Sequence, residues 1–189
     1  LSILSMRWVG NSLNRLLFVF GATAACISFW ISNAATTAML LPIAVGILSE
    51  IHRLLASQGV SVSEVSRLRM SRGLLLLTAY GASAGGLGTP VGTPPNLIGI
   101  GMIQDLLGVR ITFVDWMKMA LPMVLTMYLA LYFLIVRLHP PEAKALLGMS
   151  DYFRQRRETL GPWSRGQKNA LAAFLTAVGL WIAPGAIGV

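Results

Sequence analysis

Charge is scarce in this chain: of 189 residues only 12% are Asp, Glu, Lys or Arg, where soluble domains carry about 25%. That scarcity excludes an ordinary water-soluble domain. Carboxylates are fewer still, with 7 Asp and Glu against 15 Lys and Arg, and there are 2 His. No run of acidic or imidazole side chains exists to build a metal cluster or an acid–base pair. A single cysteine, Cys26, excludes an internal disulfide framework, and its place inside an apolar run points to packing. What the chain has instead is apolar residues, 55% of the total, with mean hydropathy +0.69. Residues 16–49, 73–104, 119–136 and 169–189 contain no charged residue at all. Those four stretches read as membrane segments, and the chain as an integral membrane protein. The net charge of +8 belongs to the loops beside them and lacks the aromatic interleaving of a nucleic-acid surface, so no nucleic-acid partner is expected. The chain opens on Leu1 and closes inside a hydrophobic run, and it is taken as a fragment.

A crossing helix needs about 20 apolar residues, so the 16–49 stretch is too long for one crossing and short for two. Its apolar run gives way at Ser32-Asn33-Ala34-Ala35-Thr36-Thr37 and then resumes. Two arms, each shorter than a full span, meeting at a polar tip describe a re-entrant helical hairpin. Non-helical backbone is tolerated at membrane depth only when it is enclosed by protein or lines a cavity. The second stretch is interrupted by Gly85, Gly86, Gly88, Pro90, Gly92, Pro94 and Pro95, which predicts a broken transmembrane helix restarted by the proline pair. Residues 119–136 form an ordinary span bent at Pro122, and 169–189 begin another.

Charge distribution orients these segments. With a re-entrant hairpin, residues 1–49 form the cytoplasmic approach and the hairpin itself, 50–72 a cytoplasmic loop, and 137–168 a cytoplasmic interfacial or basic segment. Residues 105–118 then form the extracytoplasmic loop, whose basic residues are Arg110 and Lys118; every other Lys and Arg lies on the cytoplasmic side. Were 16–49 to cross instead, Arg7 and Arg15 would change sides and the bias would weaken. Within 141–160, Leu146, Met149 and Phe153 recur at helical spacing with Arg154, Arg156 and Arg157 on the other face. An interfacial helix and a solvated basic loop both satisfy that pattern, and Gly161-Pro162 ends either one.

Enzymatic chemistry has no carrier at membrane depth, because the four stretches hold no Asp, Glu, His, Lys or Arg. His52 and His139 fall in loops without a partner at ligand spacing and are expected to be interfacial or solvated. The glycines of 86–92 are spaced wrongly for a dinucleotide loop and lack the Lys of a phosphate loop. No catalytic residue is assigned and the chain is not expected to be an enzyme. The breaks do supply neutral oxygen, from Ser28, Ser32, Asn33, Thr36, Thr37, Ser83, Thr89, Thr93, Asn96 and freed backbone carbonyls. Helices broken at the midplane are how transporters hold Na⁺ on carbonyls and anions on helix N-termini.

If the first arm ends near Ser32, Ser28 lies one turn back and both hydroxyls face one cation. A second arm starting between Ala34 and Thr36 presents its N–H groups and the Asn33 amide to an anion. A helix end contributes roughly 0.3–2 kcal/mol toward a carboxylate. Desolvating that carboxylate costs at least several kcal/mol, so a bound cation must offset the difference. Two other readings accompany this one. A proton-coupled or uncoupled anion transporter or exchanger would use the same scaffold, and a non-transporting membrane scaffold would use the breaks only to pack helices.

At both breaks the sequence resembles the divalent anion:sodium symporters, the family of Na⁺-coupled dicarboxylate, citrate and sulfate transporters. The first matching stretch runs from Ser28 to Pro42 around the Ser32-Asn33 tip, and the second from Ala82 through Gly85-Gly86-Leu87-Gly88-Thr89-Pro90-Val91-Gly92-Thr93-Pro94-Pro95-Asn96. Phe113 to Lys118, Leu121-Pro122 and Trp163 to Lys168 are similar too. The resemblance implies an all-α membrane protein, one half of an inverted-repeat, elevator-type symporter that is a homodimer at full length. It places the protein in the plasma or inner membrane, with a small anion, Na⁺ and lipid as partners. By motif position, Ser28, Ser32, Asn33 and Gly86 resemble a Na⁺ site. Ser32, Asn33, Ala34, Gly92 and Thr93 resemble the residues facing the substrate. The family usually has Thr where this chain has Ala34, which removes one hydroxyl donor from the tip.

Overall fold

The computed structural model describes residues 12–59, 68–141, 148–158 and 163–187, all of whose regular structure is helical. Arg7, Leu146, Gly161 and Pro162, used above to orient or bound segments, lie outside the described residues, as do the side chains of Arg156 and Arg157.

Helix α1 spans Leu13–Ser28 and α2 spans Asn33–Ser57, with the polar turn 29–32 between them. On α1, Leu13, Leu16, Leu17, Phe20 and Ala24 fall at helical spacing and are fully buried, one stripe turned to the core. At about 1.5 Å per residue α1 is about 24 Å long, shorter than the hydrocarbon core of about 30 Å. Helix α2 is longer than an arm was expected to be. Its 25 residues make it long and apolar enough to cross a membrane, and it runs through the beginning of the expected 50–72 loop. The apolar portion still stops at Ser49, since the last two turns carry Glu50, His52 and Arg53. The helix continues past the uncharged stretch because Ile51 and Leu55 keep its buried face in the core, while Arg53 donates to Glu50 at 2.7 Å on the outer side.

The second uncharged stretch is broken, as its glycines and prolines predict. Helix α3 covers Arg69–Gly85, residues 86–93 are non-helical, and α4 covers Pro94–Leu107 with proline at its first position. Gly108, at φ 67°, closes α4 in the left-handed conformation. Only residues 108–112 separate it from α5, Phe113–Leu138, so the 105–118 segment is helical at both ends. A capping box sets that boundary: Asp115 N–H donates to Thr112 Oγ1 and Thr112 N–H to an Asp115 carboxylate oxygen, each at 3.2 Å. Helix α5 is the other helix among the described residues long and apolar enough to span a bilayer. Helices α6, Met149–Glu158, and α7, Arg165–Ile187, complete the order.

Helix α3 is the axis of the bundle, packed against α1, α2 and α5. Its contact with α1 is made of glycine. A Cβ on Gly81 would lie 2.9 Å from the Gly21 carbonyl, and one on Gly85 2.1 Å from that of Ala25. Backbone therefore meets backbone, as in membrane helix pairs where small residues permit close approach. Tyr128 of α5 adds a polar tie, donating to the Phe18 carbonyl. Within α6, Met149 and Phe153 join the hydrophobic core while Arg154 pairs with Asp151 at the surface, so the 149–158 part of the basic segment is a helix and not a loop. Cys26 differs from expectation: it is exposed, because it falls outside the α1 stripe that faces α3. His52 and His139 are half-buried, each with Nδ1 enclosed and unpartnered, which fits the interfacial rather than the solvated alternative.

Candidate functional site

The two breaks face each other. Helix α1 ends at Ser28, earlier than expected, because the chain turns at Phe29 and Trp30: the Phe29 N–H returns to the Ala25 carbonyl and the Trp30 N–H to that of Ile27. Ser28 and Ser32 therefore do not stack on one helix face. Ser32 instead becomes the N-cap of α2, exposed, its hydroxyl accepting from the Ala35 N–H at 3.3 Å. That cap starts α2 at Asn33, slightly ahead of the expected Ala34 to Thr36. Ser28, fully buried, donates to Asn33 Oδ1 at 2.7 Å across the turn.

Asn33 also reaches the second break. A Cβ on Gly86 would sit 2.2 Å from Asn33 Oδ1, so only glycine lets the amide oxygen approach this stretch of backbone. On the other side, a Cβ on Gly92 would lie 2.5 Å from the Gly86 carbonyl oxygen and 2.9 Å from that of Ser28. Carbonyls from the end of one helix and the start of the other break thus flank a single glycine. Ser28, Asn33, Gly86 and Gly92 are brought together in this way. Ser32 and Ala34 lie on the exposed side of the tip, and Thr93 is the half-buried N-cap of α4, without a side-chain capping bond. Ser83 is exposed on α3 and donates to the Ala79 carbonyl at 3.1 Å, away from any shared role.

Two residues absent from the site expected by motif position hold the arrangement in place. Thr89, fully buried, donates to the Phe29 carbonyl in the hairpin turn and accepts the Gly92 N–H at 3.1 Å. Asn96, in the first turn of α4, donates from Nδ2 to the Gly86 carbonyl at 2.9 Å and the Thr89 carbonyl at 2.8 Å. The signal for both was available, since they were among the neutral oxygens of the breaks. Their partners are backbone groups distant in sequence, which spacing does not reveal. From α5, Trp116 Nε1 donates to the Leu87 carbonyl at 3.0 Å, fixing the linker from a third direction. Trp30 of the turn stacks on Phe113 at 6.3 Å and on Trp181 at 6.4 Å between ring centroids. Aromatic rings from α5 and α7 thereby flank the tip.

The chemistry of this set is narrow. Neither 28–37 nor 82–96 contains a titratable Asp, Glu, His, Lys or Arg, and among the described residues no three His, Cys, Asp or Glu side chains group as metal ligands. Hydroxyl, amide and carbonyl oxygens suit a hard cation and offer nothing to a soft one. The first N–H groups of α2, at Asn33 and Ala34, point out of a helix N-terminus where a negative group is favoured.

Comparison with known proteins follows the same lines. The family model for the sodium:sulfate symporter transmembrane region matches residues 1–189. The sodium-dependent dicarboxylate transporter SdcS of Staphylococcus saprophyticus is 31% identical over 175 residues, covering 92% of this chain and 33% of that protein. SdcS of Staphylococcus aureus strain USA300 is 29% identical over 178 residues, with the same 92% and 33% coverage. The chain thus spans about a third of the length of these curated relatives.

Proposed function

Because the chain belongs to the sodium:sulfate symporter transmembrane family, we propose that it is the part of a Na⁺-coupled symporter that holds one coupling ion beside a divalent anion. The observation that carries this reading is the convergence of uncharged oxygens of Ser28, Asn33 and Gly86, from two helix breaks, around the bare backbone of Gly92. In the proposed mechanism Ser28, Ser32, Asn33 and the Gly86 backbone hold Na⁺. The α2 N-terminus with Ser32, Asn33 and Ala34, faced by Gly92 and Thr93, receives the anion. Na⁺ supplies the charge that neutral dipoles lack, so anion binding depends on the ion having bound. A dicarboxylate is the leading substrate, since the relatives above carry that name, with citrate and sulfate as the other members of the class.

The same reading makes residues 16–49 a re-entrant hairpin, makes the chain one half of an inverted-repeat elevator, and makes the full-length protein a homodimer of the inner or plasma membrane. Proton coupling has no support here, as neither break has a side chain to take the proton. Uptake of succinate, citrate and sulfate into vesicles containing the full-length protein tests the proposal. Uptake of at least one anion is expected to require an inward Na⁺ gradient. Equal uptake with and without Na⁺ for all three overturns it.

A further inference from the structure

Among the described residues the helical threonines share a habit that one of them breaks. Thr23, Thr37, Thr78, Thr126 and Thr176 each donate the hydroxyl proton to the carbonyl four residues back, at 2.7–3.1 Å. That back-bond satisfies a hydroxyl on a helix without any outside partner. Thr36 is fully buried, and its Oγ1 has no hydrogen-bond partner. An enclosed hydroxyl without a partner is costly, and native proteins keep few of them without a ligand or water to satisfy them.

Its place in the fold identifies the ligand. Thr36 lies three residues after Asn33 on α2, hence on the same helix face and one turn deeper. The Asn33 amide oxygen on that face already abuts Gly86 and accepts from Ser28. The neighbouring Thr37 satisfies itself on the Asn33 carbonyl, so of the two threonines one turn below Asn33 only Thr36 keeps an orphaned hydroxyl. Exposed Ala34 lies where an anion arriving from outside the bundle meets the helix end, with Ser32 at the border between anion and cation. A fully enclosed hydroxyl falls on the other, cation side.

Resting on the Na⁺-symport reading, we infer that Thr36 Oγ1 is a further oxygen ligand of the cation held between the α2 tip and the 86–93 linker, contributing to the affinity for Na⁺. Neither the motif resemblance nor the named relatives assign this residue a role. The hydroxyl oxygen donates a lone pair to the ion, and its proton turns away from it. Removing that oxygen weakens Na⁺ binding without removing any hydrogen bond within the protein.

The test is the thermal stability of the purified full-length transporter titrated with NaCl, with choline chloride holding the ionic strength constant. Thr36→Val keeps the shape and removes the hydroxyl, and Thr36→Ser keeps the hydroxyl; Thr36→Ala replaces the valine variant if that one does not fold. The valine or alanine variant is expected to need at least fivefold more Na⁺ for half-maximal stabilisation. The serine variant is expected to stay close to wild type, and Ser28→Ala to shift as the Thr36→Val variant does. In choline alone Thr36→Val is expected to be at least as stable as wild type, since it relieves an orphaned hydroxyl. A Na⁺ dependence unchanged in Thr36→Val while Ser28→Ala shifts it overturns this inference and leaves the parent reading standing. No stabilisation of wild type by Na⁺ overturns both.

Discussion

At Asn96 one amide serves two carbonyls, those of Gly86 and Thr89. Replacing it with the similarly shaped leucine leaves the Gly86 oxygen without that donor, a cost of about 1–3 kcal/mol, and the Thr89 oxygen with only the Gly92 N–H at 3.3 Å. Asn96→Leu is therefore expected to lower the thermal stability of the full-length protein and abolish transport, although the residue sits apart from the proposed anion contacts. Transport at the wild-type rate would show that the linker does not depend on this clamp. Ala34 makes the opposite case. It is exposed at the tip, so Ala34→Thr restores a hydroxyl donor without burying it. One hydrogen bond to a charged group lowers the KM for the carried anion by about tenfold, with stability unchanged, as initial uptake rates will show. The sequence made the tip legible through its Ser-Asn pair and polar run. It did not show that Ser32 would turn outward to cap α2, because a cap bond is decided by where α1 stops, two residues before Trp30 in this fold.

Among the helices, the α1–α3 contact depends on the missing side chains of Gly21, Gly81 and Gly85. Gly85→Ala places a Cβ 2.1 Å from the Ala25 carbonyl, where only backbone can give way. The variant is expected to lose folded, monodisperse protein. Gly46→Ala on α2 meets nothing within 4 Å and is expected to stabilise by up to about 1 kcal/mol through helix propensity. Thermal melts of the two variants side by side check both expectations. Orientation of the hairpin is the other element-scale prediction. On a Cys26→Ala background, single cysteines at Ser12 and Ser57 are expected to react with an impermeant maleimide from the same side of the membrane. Labelling from opposite sides would mean that the pair crosses. The breaks were readable because glycine and proline clusters interrupt apolar runs, and the structure keeps both. Helix ends were less readable. Uncharged stretches mark hydrocarbon depth, whereas helices end at caps such as Thr112 and Gly108 and pass freely through charged turns such as Glu50 to Arg53.

Taken as a whole, the chain presents apolar surface that water does not tolerate. Of the α4 residues only Asn96 is buried, while Ile98, Met102 and Leu106 are exposed, and α5 exposes Met119, Leu125 and Phe133. Surface of this extent requires lipid or further protein around it. Composition alone conveyed that environment. The meeting of residues 28–33 with 86–92 was not written in composition, since it comes through contacts that follow from the glycine seam of α1 and α3. Binding of radioactive sodium to the purified full-length protein tests the proposed cation site most directly, comparing wild type with Asn33→Ala. The account predicts a saturable component in wild type that the variant lacks; superimposable binding curves for the two proteins contradict it.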